Sequence, residues 1–159
     1  MRKTTPSPAW LCAAMLLLQG CGGYPRDADR MSEHAAAYGM RVGASADPPW
    51  VHVDADGRVS GPEAELVQRY AAARGYRVHW IPGGHDTLMR QLEDAQLHAV
   101  IGGHHADTPW KPKVGWSQPL RLRAQDGDGP MPERRIALPP GQSAWHLALD
   151  RHLAQEAAR

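Results

Sequence analysis

Apolar residues recur at two spacings along this chain, and each change of spacing predicts an element. Arg41-Val-Gly-Ala44 is a short apolar strand, which Asp47-Pro48-Pro49 must end because proline fixes φ and removes a donor. Trp50 to Val53 and Arg58 to Ser60 flank Asp54-Ala55-Asp56-Gly57, whose Asp-Gly pair signals a hairpin. Pro62 suits the first turn of a helix, and Leu66, Val67, Tyr70, Ala71 and Ala73 recur at helical spacing until Gly75 stops it. Tyr76 to Ile81 reads as the next strand, with Pro82-Gly83-Gly84 turning away from it. Asp86 is placed to cap a helix carrying Leu88, Met89 and Leu92 on one face, and Ala99-Val100-Ile101 is a third strand. The order strand, helix, strand, helix, strand implies right-handed crossovers and a parallel sheet, with ligands expected at the carboxyl ends of its strands.

The later part reads differently. Leu120 and Leu122 alternate with Arg121 and Arg123, the pattern of a half-exposed strand, until Gln125 to Glu133, rich in Asp, Gly and Pro, breaks it. Ile136-Ala137-Leu138 returns as a strand that Pro139-Pro140-Gly141 ends. Ser143 is then a cap for a closing helix with Ala144, Trp145, Ala148, Leu149 and Leu153 on one face. There are no internal repeats. The economical architecture is one α/β layer sandwich.

Composition narrows the function classes. With 159 residues there is room for one domain, and 18 Lys+Arg against 17 Asp+Glu gives a net charge of +1, which supplies no footprint for nucleic acid. A hydrophobic share of 42% permits a packed core despite 16 Gly and 14 Pro. Phe is absent, so six Trp and four Tyr supply the aromatic bulk. Arg2 and Lys3 precede the apolar run Ala9 to Leu18, which matches a secretory signal and is too short to span a bilayer. The run ends Leu18-Gln19-Gly20-Cys21, which resembles a bacterial lipobox. Residues 1–20 are therefore expected to be a lipoprotein signal peptide and Cys21 the lipid-modified residue, with plain secretion as the alternative. Cleavage there removes Arg2, Lys3 and Cys12 and leaves 16 basic against 17 acidic residues. Residues 21–37, small, polar or of mixed charge, are expected to form a flexible tether to a folded body at 38–159.

Several fragments, in order, resemble the bacterial extracellular solute-binding proteins, specifically the polar-amino-acid branch of the two-lobed periplasmic receptors of ABC transporters. They are Arg41-Val-Gly-Ala-Ser-Ala-Asp-Pro-Pro-Trp50, Val59-Ser-Gly-Pro-Glu-Ala-Glu-Leu66, Trp80-Ile-Pro-Gly-Gly84, Ala99-Val-Ile-Gly-Gly103, Asp107-Thr-Pro-Trp110 and Arg135-Ile-Ala-Leu-Pro-Pro-Gly-Gln-Ser-Ala-Trp145. The resemblance implies a periplasmic-binding-protein-like lobe: a mostly parallel sheet with an antiparallel returning strand and helices on both faces. Two-lobed members insert a second lobe after the first, whereas here only residues 125–133 separate the outgoing and returning segments. Such a short polar turn joins neighbouring antiparallel strands without disturbing the others.

The resemblance also marks a ligand site. Trp50 matches an aromatic residue that stacks on the ligand, against core packing as the alternative. Gly102-Gly103 permits close backbone approach, so that N–H groups there could receive a carboxylate, or it forms a simple turn. His104 and His105 stand where the family has an apolar residue and a ligand-binding Thr, and Thr108 follows a short step on. Where an Arg is expected for the ligand's carboxylate, this chain has Trp110 and Lys111, and Lys lacks the planar fork for bidentate pairing.

These readings together give a non-enzymatic, lipid-anchored protein on the periplasmic side of a bacterial membrane. It would bind a small polar solute such as an amino acid, weakly or with a partner (an ABC permease or another supplier of the missing lobe), and require no cofactor. Two alternatives stay open: metal capture by His85, His104 and His105, with His79 and His98 near in the chain, and a dehydratase-like enzyme of the same fold using a histidine as acid or base. Asp126 and Asp128 resemble a calcium loop only superficially, because Gly129-Pro130 interrupts it.

Overall fold

The computed structural model describes residues 25–104, 108–120, 122 and 133–158. In chain order the elements are α1 (Met31–Tyr38), β1 (Met40–Ala44), β2 (His52–Val53), β3 (Val59–Ser60), α2 (Pro62–Arg74), β4 (Val78–Pro82), α3 (His85–Glu93), β5 (Ala99–Ile101), β6 (Gly115–Trp116), β7 (Ala137–Leu138) and α4 (Ser143–Ala157). The main sheet has the order β4-β1-β5-β7-β6, and β2 pairs with β3 as a separate hairpin. Strand β1 runs parallel to both β4 and β5, with Val42 opposite Trp80 on one side and Ala99 on the other. Strand β7 runs antiparallel to β5, Val100 opposite Ala137, and antiparallel to β6, Trp116 opposite Ala137. This is the α/β single lobe with a returning antiparallel strand.

Alternation along the strands sorts side chains onto two faces. Val42, Ala44, Ala99, Ile101, Ile136 and Leu138 point to one face, where they join Leu66, Val67, Tyr70 and Ala71 of α2 and Trp145, Leu149 and Leu153 of α4. Val100 and Ala137 point to the other, where they meet Leu88, Met89 and Leu92 of α3. Helices therefore cover both faces. Among the described residues no helix is long and apolar enough to cross a membrane.

Several local expectations change. The segment expected to be a tether through Ala37 contains α1, whose Met31 and Ala35 are buried in the core; Asp27 accepts from the Met31 and Ser32 N–H groups at 2.8 and 2.9 Å and caps it. The hairpin and the Gly75 stop are present, with Gly75 in the left-handed region as the α2 cap. Ala73 is exposed. Asp86 does not cap α3: its carboxylate accepts the Trp110 indole N–H at 3.0 Å. Ser143 is not a cap either, because its hydroxyl is engaged with the backbone of Arg26.

The outgoing strand is β6, where the Gly115 and Trp116 backbone pairs with β7; of the residues expected to form it, Leu120 and Leu122 lie outside the strands, and Arg121 and Arg123 lie outside the described residues. The pairing nevertheless extends toward the turn: Ser117 N donates to Ile136 O at 2.9 Å and Leu120 N to Arg134 O at 2.8 Å. Outgoing and returning segments thus lie side by side. Cys21, the segment expected to be a signal peptide, Arg121 and residues 123–132 lie outside the described residues.

Candidate functional site

The carboxyl ends of β1 and β5, together with the entry to β7, bring five segments to one edge of the sheet. Because β7 is antiparallel, its amino-terminal side, not its far end, arrives there with Arg134. The loop after β1 brings Asp47 and Trp50, the first turn of α2 brings Glu63, and the turn after β5 brings Gly102, Gly103 and His104. The first turn of α3 adds His85.

Gly102 has φ +88°, and a Cβ there would lie 2.0 Å from the Ser45 carbonyl oxygen, so only glycine lets the β5 turn close against the loop after β1. Ser45 N in turn donates to Ile101 O at 3.0 Å. The loop itself is tied by Asp47 N to Val51 O at 2.9 Å and by Trp50 N to Asp47 O at 2.9 Å. These bonds leave the Asp47 side chain pointing across the gap to Gly103, whose N–H it accepts at 2.8 Å through Oδ2.

A buried charge network sits beneath. Glu63 accepts the Gly102 N–H at 3.0 Å through Oε2 and the Arg134 Nε–H through Oε1, while Arg134 Nη2 donates to Asp47 Oδ2. The side chains of Arg134 and Glu63 are 3% and 1% exposed, and that of Asp47 is 26% exposed. Burial pushes the Glu63 carboxyl above the ordinary carboxylate range, with the Arg134 guanidinium and the Gly102 N–H pulling against it. The Arg134 guanidinium carbon lies 5.2 Å from the centre of the half-buried Trp50 ring, a cation–π contact.

The sequence expectations are met unevenly by this arrangement. Trp50, Gly102 and Gly103 do come together at the sheet edge, but the two glycine N–H groups expected to await a carboxylate already hold the chain's own Glu63 and Asp47. His104 turns inward: it is 2% exposed and its Nε2 bonds Val100 O at 3.0 Å. Desolvation first, and then the neighbouring His85, depress its pKa to about 3, so it is neutral. Thr108 caps a local turn, its hydroxyl accepting the Trp110 N–H at 3.3 Å. His105 lies outside the described residues.

For metal, the rings of His85 and His104 are 5.1 Å apart, and each has a buried Nδ1 without a hydrogen-bond partner. Among the described residues no third His, Cys, Asp or Glu joins them to complete a ligand set. His79 is exposed on β4, and His98 faces the opposite end of the sheet, accepting the Arg41 N–H through Nδ1 at 3.0 Å.

Sequence reasoning missed Asp47, Glu63 and Arg134 as a unit. One signal was present: Glu63 shares a helical face with Leu66, Val67 and Tyr70, and a carboxylate on an apolar face requires a buried donor.

A model of the family "Bacterial extracellular solute-binding proteins, family 3" matches residues 40–155. No curated protein sequence matches the chain. Among solved structures, a point mutant of domain 1 of TmArgBP in its arginine-bound form superposes with a TM-score of 0.67 at 22% identity, covering 82% of this chain and 98% of that one. The arginine-bound form of domain 1 from TmArgBP gives 0.61 at 24% identity over 73% and 91% of the two chains. An ancestral cationic amino acid solute-binding protein gives 0.65 at 13% identity over 82% and 93%.

Proposed function

Since the chain belongs to the bacterial extracellular solute-binding proteins, family 3, we propose that it is a one-lobed, extracytoplasmic receptor for a small polar solute of the amino-acid class, anchored through a lipid on Cys21. The family and the similar structures are binding proteins, and the reading here is likewise of binding without catalysis. The observation that carries it is the convergence of Trp50, the Gly102–Gly103 turn and Arg134 at the carboxyl ends of the parallel strands, the edge where open α/β sheets hold ligands.

Sites that hold small molecules well bury about 70–90% of the ligand. One lobe offers one wall, so free binding is expected on the order of millimolar. An ABC permease, a second copy or another lobe-bearing protein would supply the facing wall. Because domain 1 of TmArgBP is arginine-bound, arginine heads the set of candidate ligands. Calorimetry of the monomer with L-arginine, L-lysine, L-glutamate and L-histidine tests the reading: weak binding lost in Trp50→Ala supports it. Micromolar affinity would refute the one-wall argument, and no binding with or without a membrane fraction carrying the permease would refute the receptor.

A second reading, metal capture, draws on the two unpartnered imidazole nitrogens of His85 and His104. Stoichiometric zinc or copper retention, abolished by His85→Ala with His104→Ala, would support it, and unchanged retention would end it.

A further inference from the structure

Two groups suited to gripping a carboxylate meet at the end of β5: the Arg134 guanidinium and the Gly103 N–H. Both are already directed at one oxygen, Asp47 Oδ2. We propose that Arg134 and the Gly103 N–H form a carboxylate-binding subsite which the chain's own Asp47 occupies, so that a carboxylate-bearing ligand enters by displacing that side chain. The inference deepens the solute-binding reading and rests on it only for the identity of the natural ligand.

The two carboxylates on Arg134 are not equivalent. Glu63 is fixed in the first turn of α2, 1% exposed, and also holds the Gly102 N–H, so removing it would open the core. Asp47 is on a loop and 26% exposed, and its backbone is held independently by the bonds to Trp50 and Val51. Its side chain can therefore turn outward by rotation about its own bonds while the loop stays in place.

Charge favours the same exchange. Glu63 and Asp47 bring two carboxylates to one guanidinium, so departure of Asp47 leaves a paired Arg134 and Glu63 rather than a bare buried ion. An incoming carboxylate then restores the original count. The swap replaces like with like, and the Trp50 ring, its centre 5.2 Å from the Arg134 guanidinium carbon, stays in contact with the cation throughout.

The test uses sodium acetate as the probe, with sodium chloride at equal ionic strength as the control, read by thermal unfolding and by the Gly103 amide resonance. Asp47→Ala is expected to bind acetate at least about ten-fold more tightly than the unaltered protein, and adding Arg134→Met is expected to abolish the gain. Equal responses of Asp47→Ala and the unaltered protein, or no response in either, overturn the proposal. Should Asp47→Ala not fold, Asp47→Asn puts a neutral amide, a weaker partner for Arg134 than a carboxylate, in the same place; it too must bind acetate more tightly than the unaltered protein does, and parity overturns the proposal. The amino-acid panel separates the two readings. Acetate binding without any amino-acid binding in Asp47→Ala keeps the subsite and removes the amino-acid receptor. Amino acids bound no more tightly by Asp47→Ala than by the unaltered protein keep the receptor and remove the subsite.

Discussion

At the amino end of the sheet, Met31, Ala35, Met40 and Trp145 close the core around His98, with Trp145 Nε1 donating to His98 O at 2.8 Å. At the carboxyl end, Glu63, Arg134 and Asp47 close it with three charges drawn from a helix, a strand entry and a loop. Both ends bury a histidine ring, His98 and His104 each being 2% exposed. The difference is in what can be exchanged. Aromatic packing offers nothing for a polar solute to exchange with, whereas a carboxylate on a guanidinium can be replaced by another carboxylate, and the proposed site lies at that second end.

The sharpest way to break this contrast is to remove the centre of each end. Trp145 is fully buried, stacks on Tyr76 and meets Tyr70 edge-on, so Trp145→Ala should cost about 3–5 kcal/mol at any pH where the protein folds. Arg134→Met should cost about 3–5 kcal/mol near neutrality by leaving Glu63 buried without its cation. That second cost should shrink on acidification, because the Glu63 carboxyl, already raised by burial, can take a proton. Urea unfolding at pH 7 and pH 5 measures both, and an Arg134→Met penalty that is the same at the two pH values contradicts the electrostatic account.

Acid should weaken both ends together. Burial lowers His98 to about 4 and His104 to about 3, with His34 adding to the first and His85 and Arg134 to the second, while the hydrogen bonds to the Arg41 and Val100 backbone and the Asp27 and Asp47 carboxylates oppose. A depressed folded pKa means that the unfolded chain binds the proton first. Stability from these histidines is therefore complete above about pH 6.5 and falls as pH drops toward 4 and 3, by about 1.4 kcal/mol per pH unit for each. Glu63 acts in the opposite sense, since its raised carboxyl favours the folded state as pH falls toward the ordinary carboxylate range. A net loss of about 2–4 kcal/mol between pH 6.5 and pH 5 is expected in denaturant titrations. His98→Leu and His104→Leu should each flatten the profile, and a profile unchanged by both would show that the rings titrate normally.

How much of this was legible depends on how far apart in the chain the partners lie. The faces of α2 and α3 are written locally: Leu66, Val67, Tyr70 and Ala71, then Leu88, Met89 and Leu92, are buried as their spacing requires. Strand β5 is an uninterrupted apolar run and is buried on both faces for that reason. Helix α1 was missed because its burial rests on two residues, Met31 and Ala35, in an otherwise exposed segment. The alternation at Leu120 and Leu122 put both leucines against the core, as it required, but it overstated the strand, because only Leu120 makes a backbone bond to the returning segment among the described residues there. Asp86 and Ser143 carry the residue types of caps, yet their polar atoms serve Trp110 and Arg26, contacts that no local window contains. The charge network is the extreme case. Arg134 lies 71 residues from Glu63 and 87 from Asp47, so neither partner can be read from the neighbourhood of the other.

Gly102 tests whether the carboxyl end depends on backbone shape as well as charge. A methyl group at Gly102 would meet the Ser45 carbonyl oxygen and would also hold a side chain at φ +88°. Gly102→Ala should therefore destabilise the protein by about 1–3 kcal/mol and disturb the Gly103 amide that serves Asp47. Amide exchange at Gly103 is the discriminating measurement: faster exchange with intact exchange at Trp145 would confine the damage to the carboxyl end.

The smallest effect on stability should accompany the largest on binding. Trp50 and Trp145 are the same residue type at opposite ends, but Trp50 is half-buried and contributes chiefly its contact with Arg134, worth about 0.5–1 kcal/mol. Its backbone bonds, Trp50 N to Asp47 O and Glu63 N to Trp50 O, survive truncation of the side chain. Trp50→Ala should thus unfold within about 1 kcal/mol of the unaltered protein, far less than Trp145→Ala. If Trp50 lines the ligand wall, the same variant should lose several-fold in affinity for whichever solute the unaltered protein binds. Comparable destabilisation by the two substitutions, with ligand affinity unchanged in Trp50→Ala, would make Trp50 a core residue and erase the distinction between the two ends.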